Sequence, residues 1–260
     1  MIISRTPFRI SFFGGGTDYP AWYKNNGDGA VLSASINKYC YLTCRYLPPF
    51  FEHKIRLVWS RVETVKGAED IVHPTAREII QFLKITDGLE IHHDADLPAR
   101  SGLGSSSAFT VGLLHALHTL KGKKPTKRQL ALEAIHVEQE RVRENVGSQD
   151  QVVAAFGGLN KIQFGGNDHV KVTPLVLDED VIRALEDRLM LFYTGLARNA
   201  SEVAAEQIRL TPQKTKELHK MRGMVDTAIA LLKEEKNIED FGKLLHESWQ
   251  IKRTLSPHVS

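Results

Sequence analysis

The chain has 260 residues, 42% hydrophobic and 25% charged, with 34 Lys plus Arg against 31 Asp plus Glu for a formal net charge of +3. These proportions are ordinary for a globular protein and exclude a disordered tail, a collagen and a coiled coil. So mild a balance announces neither nucleic acid nor a membrane surface, and the length allows one large domain or two ordinary ones.

The first sixty residues read as strands. Ile2, Ile3, Phe8, Ile10, Phe12 and Phe13 predict one, broken at Gly14-Gly15-Gly16. Val31–Ile36, Cys40–Tyr46 and Ile55–Trp59 predict three more. On a strand, Cys40 and Cys44 lie about 13 Å apart. A bridge needs Cα atoms within about 7 Å, so both are expected as reduced thiols. Pro74 to Leu83 reads as a helix and Leu89–His93 as a strand. The period then becomes helical through Phe109, Leu113, Ala116, Leu117 and Leu120. Thr126 and Gln129 fit a capping box opening a further helix, with Ala131, Ile135, Val142 and also Glu138 on its apolar face. Gly147 to Gly158 reads as a loop with an embedded apolar stretch, followed by strands at 160–164, 170–174 and Leu189–Tyr193. From Ala200 onward the pattern is mostly helical. Strands early and helices interleaved and late predict an α+β protein. Arg5 and Arg9 interrupt the start, so no secretory signal is expected. The uncharged run between Arg100 and Lys121 is too rich in Ser, Gly, Thr and His for a membrane span. A soluble, cytoplasmic protein is expected.

Three segments carry chemistry. The run Leu97-Pro98-Ala99-Arg100-Ser101-Gly102-Leu103-Gly104-Ser105-Ser106-Ser107-Ala108 leads a glycine-rich turn into a helix N-terminus. Such an end offers unpaired N–H groups and the positive end of the helix dipole, a combination that binds phosphate. It is neither a Walker loop nor a nucleophile elbow. The run from Arg5 to Pro20 ends a strand in three glycines and then presents Thr17 and Asp18. Asp18 either accepts sugar hydroxyls or closes an Asx-turn. The third segment is Gly147-Ser148-Gln149-Asp150-Gln151, where Asp150 is a candidate general base or metal ligand. Glu138, a carboxylate on an apolar face, calls for a cation, either a metal or an ion-pair partner. Trp59 to Glu63 is a weaker candidate for an adenine border, a strand end explaining it equally well.

Together these segments resemble the kinases of the galactokinase, homoserine kinase, mevalonate kinase and phosphomevalonate kinase (GHMP) superfamily. Phe-Gly-Gly-Gly-Thr-Asp-Tyr-Pro with Gly-Ser-Gln-Asp-Gln looks most like its D-glycero-D-manno-heptose 7-phosphate kinases. The resemblance implies a two-domain α+β fold. Its first domain, 1–165, would be like ribosomal protein S5 domain 2, and its second, 166–260, ferredoxin-like. It implies ATP and Mg²⁺ as cofactors, a sugar phosphate as the partner, and no nucleic acid. The product would serve nucleotide-activated heptose and surface polysaccharide synthesis. By motif, Pro98, Ser101, Gly102, Leu103, Gly104, Ser105, Ser106 and Ser107 would surround the phosphates, and Ser106 and Glu138 would hold Mg²⁺. Asp150 would be catalytic beside Arg9, and Gly15, Gly16, Thr17, Asp18 and Gln149 would meet the substrate. Arg198 is the candidate clamp for the substrate phosphate. Galactokinases carry Glu-His where this chain has Gly15-Gly16, which implies room for a longer, phosphorylated sugar. The superfamily's third, glycine-rich motif has no counterpart before Ser260, so an incomplete second domain is expected. Another sugar kinase, or an impaired ligand-binding fragment, is the alternative.

Overall fold

The computed structural model describes residues 1–99, 101–166, 170–192, 200–234 and 238–256. The chain divides into two compact units that interleave in sequence. The first comprises Met1–Arg9, Ser35–Glu144 and Asp150–Gly157, and the second Ile10–Ala34, Asn145–Gln149 and Gly158–Ser260. No single position in the sequence separates these two units. Strands β1 (Ile2–Phe13) and β2 (Gly29–Tyr46) each run from one unit into the other.

In the first unit, the second half of β2 pairs antiparallel with β5 (Leu89–Ala95), Cys44 lying opposite Ile91. β5 pairs in parallel with β3 (Ile55–Val58), which pairs antiparallel with β4 (Val62–Val65). Alternate residues Cys40, Leu42 and Cys44 point into the core, as the two-residue period of a half-buried strand requires. Burial pushes both thiols up to about 12. Three helices join this core: α2 (Pro74–Phe82) through Ile79 and Ile80, α3 (Ser105–Leu120) through Leu113, Leu114 and Leu117, and α4 (Lys127–His136) through Leu130 and Ala134. A π turn, Val137–Arg141, continues α4, with Val142 N–H bonded to Val137 O at 2.8 Å.

In the second unit, the first half of β2 pairs antiparallel with β6 (Leu159–Phe164), and β6 with β7 (Val170–Pro174). Its core gathers Phe13, Ala30 and Leu32 with Val181 and Leu185 of α6 (Glu179–Glu186), Met224, Val225 and Ala228 of α8 (Thr215–Lys233), and Phe241 of α9 (Ile238–Arg253). Phe241 meets the Phe13 ring edge-on at 5.2 Å between centroids. A short helix α1 (Pro20–Tyr23) contributes Trp22 to a smaller cluster with Leu218, Met221 and Leu255. α7 spans Ala200–Leu210.

The α+β class is as expected, and three local expectations are corrected. Val31–Ile36 and Cys40–Tyr46 form one 18-residue strand, because the exposed Asn37 and Lys38 between them keep extended backbone. Residues in the expected 147–158 loop form helix α5 (Gln149–Phe156), whose Val152 and Val153 are buried. The expected strand at Leu189–Tyr193 is absent over 189–192, where no ladder partner lies alongside among the described residues and the apolar side chains are exposed. β-propensity marks a surface that fits a sheet; it does not supply the neighbouring strand. No helix among the described residues is long and apolar enough to cross a membrane.

Candidate active site

The first unit draws residues from all three chemical segments. Gly104 is the N-cap of α3 with φ +77°, a left-handed conformation that suits glycine. Ser105, Ser106 and Ser107 follow as the first turn, whose N–H groups find no partner within the helix. β1 fastens this loop through one residue. Arg9 N–H donates to Leu103 O at 3.0 Å, and Arg9 Nη1 donates to Gly102 O at 2.8 Å. The remaining guanidinium donors reach Asp150 on α5, Nε to Oδ1 at 2.7 Å and Nη2 to Oδ2 at 2.5 Å. This two-pronged contact fixes the orientation of the carboxylate as well as its position. A methyl group at Gly104 would stand 3.1 Å from Arg9 Cγ and 3.5 Å from Asp150 Oδ2, so the loop abuts the pair. Ser101 Oγ is shielded from solvent and has no hydrogen-bond partner among the described residues. Pro98 is exposed at the start of the run, and Leu103 packs at the edge of the core.

Glu138 sits in the π turn, 1% exposed. Thr110 Oγ1 donates to its Oε1 at 2.6 Å, while Ser107 Oγ at 2.9 Å and Gln151 Nε2 at 2.5 Å donate to Oε2. Burial pushes this carboxyl up to about 7, against the three hydrogen bonds that pull it down. Of the α3 serines it is Ser107 that reaches Glu138, beside Thr110; the Ser106 side chain is exposed. A buried carboxylate served only by neutral donors suits a hard divalent cation, which needs few protein ligands beside water and phosphate oxygens. No group of three or more His, Cys, Asp or Glu that could hold a metal occurs among the described residues.

Sequence reasoning singled out Glu138 but left its other partners, Thr110 and Gln151, without a role. Gln151 is fully buried and its Oε1 has no partner among the described residues. An amide embedded in an apolar helical stretch was the available signal. Trp59 is drawn into a ring cluster: it meets His73 edge-on at 4.8 Å, and His73 stacks on Phe109 of α3 at 4.6 Å. Burial lowers His73 to about 4, so it packs as a neutral ring.

The second unit holds the rest. Asp18 is 1% exposed and its Oδ1 accepts from Gly16 N–H at 3.0 Å, an Asx-type closure of its own loop. Its backbone O accepts from Ser148 N–H at 3.0 Å, and a Cβ at Gly147 would overlap its carboxylate. Thr17 is fully buried, with Oγ1 2.8 Å from Gly14 O and accepting from Ala30 N–H at 3.1 Å. It therefore holds the glycine turn, where a substrate contact was expected. Gln149 Oε1 accepts from Ser11 Oγ at 2.6 Å. Arg198, the expected phosphate clamp, lies outside the described residues.

A family model for the GHMP kinases N terminal domain matches residues 66–158. The chain is 30% identical over its whole length to the D-glycero-alpha-D-manno-heptose 7-phosphate kinase of Campylobacter jejuni, covering 79% of that protein. It is 28% identical to the galactokinase of Pyrococcus furiosus over 84% of this chain and 60% of that one. A crystal structure of a D-glycero-D-manno-heptose 1-phosphate kinase from Bacteroides thetaiotaomicron superposes with a TM-score of 0.81 at 23% identity, over 98% of this chain and 80% of that one.

Proposed function

The chain belongs to the GHMP kinases, and from that premise we propose that it transfers the γ-phosphoryl group of ATP to the anomeric hydroxyl of D-glycero-D-manno-heptose 7-phosphate, giving the 1,7-bisphosphate. It is a phosphotransferase, and its relatives are sugar kinases. The observation that carries the proposal is the Arg9–Asp150 pair held against the glycine-serine turn at the head of α3. A phosphate-binding helix end and an oriented carboxylate are the parts that moving a phosphoryl group to a hydroxyl requires.

Phosphoryl transfer passes through a loose transition state, so positioning and charge stabilisation matter more than a strong base. The N–H groups of Ser105, Ser106 and Ser107 receive phosphate oxygens at the N-terminus of α3, with Gly102, Leu103 and Gly104 shaping the approach and Ser101 Oγ adding a donor. Asp150 accepts the hydrogen bond of the attacking hydroxyl and takes its proton as the bond to phosphorus forms. Arg9 keeps the carboxylate aimed and adds positive charge where negative charge gathers. Glu138, with Ser106 or Ser107, would hold Mg²⁺, which would supply positive charge against the nucleotide phosphates. On the second unit, Gly15, Gly16 and Gln149 are the candidate sugar contacts, with Asp18 holding their loop.

A coupled ADP-release assay with Mg·ATP and a panel of sugars tests this reading. Turnover with heptose 7-phosphate is expected to exceed that with galactose, fucose or unphosphorylated heptose. Asp150→Asn is expected to lower kcat by on the order of 10²–10⁴, the usual worth of a positioned base. Near-normal kcat in Asp150→Asn overturns the assignment of the base. A wild-type preference for galactose would favour the galactokinase relatives.

A further inference from the structure

The three glycines after β1 have different reasons to be glycine. Gly14 has φ +87° and a Cβ there would lie 1.9 Å from Ala30 O, while Gly16 has φ +103°. Both are demanded by the backbone. Gly15 is not: its φ is ordinary and no backbone atom stands over it. The nearest atoms to a Cβ at this buried position are Lys252 Nζ at 3.2 Å and Gln149 Nε2 at 3.9 Å. The fold alone leaves this glycine unexplained. Two nitrogen donors converging on the space above it explain it, if that space belongs to a ligand.

The same place opens into a cavity of about 190 Å³, walled by Ser11, Ser248, Trp249 and Lys252. No acidic residue lines it among the described residues. Ser11 holds Gln149 by its oxygen, which leaves the amide N–H₂ as the group directed toward Gly15. Ser248 is 6% exposed and adds a hydroxyl. An ammonium, an amide donor and hydroxyls are a set for a tetrahedral oxyanion. Gln149 immediately precedes Asp150 in the chain, so the residue that would grip this anion is covalently tied to the proposed base.

We propose that this cavity binds the non-reacting phosphate of the sugar substrate, with Lys252 Nζ and Gln149 Nε2 as its donors above Gly15. The inference rests on the sugar-phosphate reading given above and deepens it. It assigns the phosphate clamp to α9 and makes the absence of a side chain at Gly15 a specificity determinant: any side chain there would occupy the phosphate's place.

The experiment compares kcat/KM for heptose 7-phosphate with that for unphosphorylated heptose in the wild type, Lys252→Met, Lys252→Arg and Gly15→Ala, with inorganic phosphate as a competing probe. Lys252→Met is expected to reduce the preference for the phosphorylated sugar by about 10- to 100-fold, the worth of one hydrogen-bonded charge. The loss should fall on KM, and inorganic phosphate should compete less well. Lys252→Arg is expected to recover part of the preference, which a merely structural lysine would not require. Gly15→Ala is expected to keep its Tm and raise KM for the phosphorylated sugar. A wild type that prefers heptose 7-phosphate together with a Lys252→Met that keeps the full preference overturns this proposal and leaves the sugar-phosphate reading standing. A wild type with no preference for the phosphorylated sugar overturns both.

Discussion

Glu138 couples stability to pH through a single buried carboxyl. Its carboxyl titrates near 7 in the fold against an ordinary 4.5, because burial disfavours the charge more than its three donors support it. The folded chain therefore holds this proton more tightly than the unfolded chain does. Stability from this site is full below about 4.5 and falls as pH rises toward about 7, above which the whole penalty is present. A bound divalent cation would cancel the penalty by pairing with the carboxylate. Mg²⁺ alone is thus expected to raise Tm more at pH 8 than at pH 5 in a thermal melt without nucleotide. Glu138→Gln should remove that difference. An equal Mg²⁺ effect at both pH values would show that the cation binds elsewhere. The inward position of Glu138 was legible in the sequence, since it shares a face with Ala131 and Val142. Its hydroxyl partner was not: whether Ser106 or Ser107 faces it depends on the helix phase set by Gly104, which spacing alone leaves free.

Helix α3 offers a comparison between its own two ends. Gly104 before it and Gly122 after it have left-handed φ of +77° and +71°. An added methyl meets Arg9 and Asp150 at Gly104, and nothing within 4 Å at Gly122. Both substitutions by Ala carry the left-handed backbone penalty of about 1–2 kcal/mol. Gly122→Ala is expected to stop there. Gly104→Ala should add a loss of kcat by displacing the Arg9–Asp150 pair. Denaturation curves and steady-state rates on the two variants test this, and equal kcat in both would show that the loop does not need its close approach. The start of the next helix was readable directly, as Thr126 Oγ1 accepts from Gln129 N–H at 3.1 Å. The capping box is only half made, because Gln129 Nε2 turns to Glu133 at 2.8 Å. α5 was hidden by its flanks: Gly147 and Gly157-Gly158 punctuate like a loop, while the helix between them has only eight residues. The Leu189–Tyr193 expectation failed for the opposite reason. Its apolar, strand-forming composition was real, but a strand exists only beside another, and no window of sequence reveals whether that neighbour is there.

At the scale of the whole chain, β1 and β2 thread both units, and the second unit takes 10–34 from the start of the sequence, a pairing that no local window of sequence reveals. Phe13, Ala30 and Leu32 are buried against Val225, Ala228 and Phe241, more than 190 residues later. A fragment of residues 1–165 is therefore expected to expose these side chains, bind a hydrophobic dye and aggregate, even though it contains all of the first unit. A soluble fragment with one cooperative melt would show that residues 10–34 need no partner from the C-terminal half. Sequence motifs singled out the runs that contribute Arg9, Gly104 and Asp150, which the fold brings together, because such short runs of particular residue types are visible in sequence. They located Lys252 not at all, since a lone lysine on an amphipathic helix reads as solvated surface until Gly15 is seen beneath it.

The π turn at Val137–Arg141 holds one residue more than a regular helical turn would over the same span. A surplus residue of this kind is what a single-codon insertion into an α-helix leaves behind, and such turns are concentrated at functional sites. It makes the segment unusually sensitive to length while leaving it tolerant of composition. Deleting Gln139 would restore regular helix and swing everything beyond it by about 100°, the angle of one residue in a 3.6-residue turn. Among homologous chains, substitutions at the exposed Glu140 can accumulate freely, whereas a frame-preserving deletion across 137–141 marks a lineage in which Glu138 has left its place beside Ser107, Thr110 and Gln151.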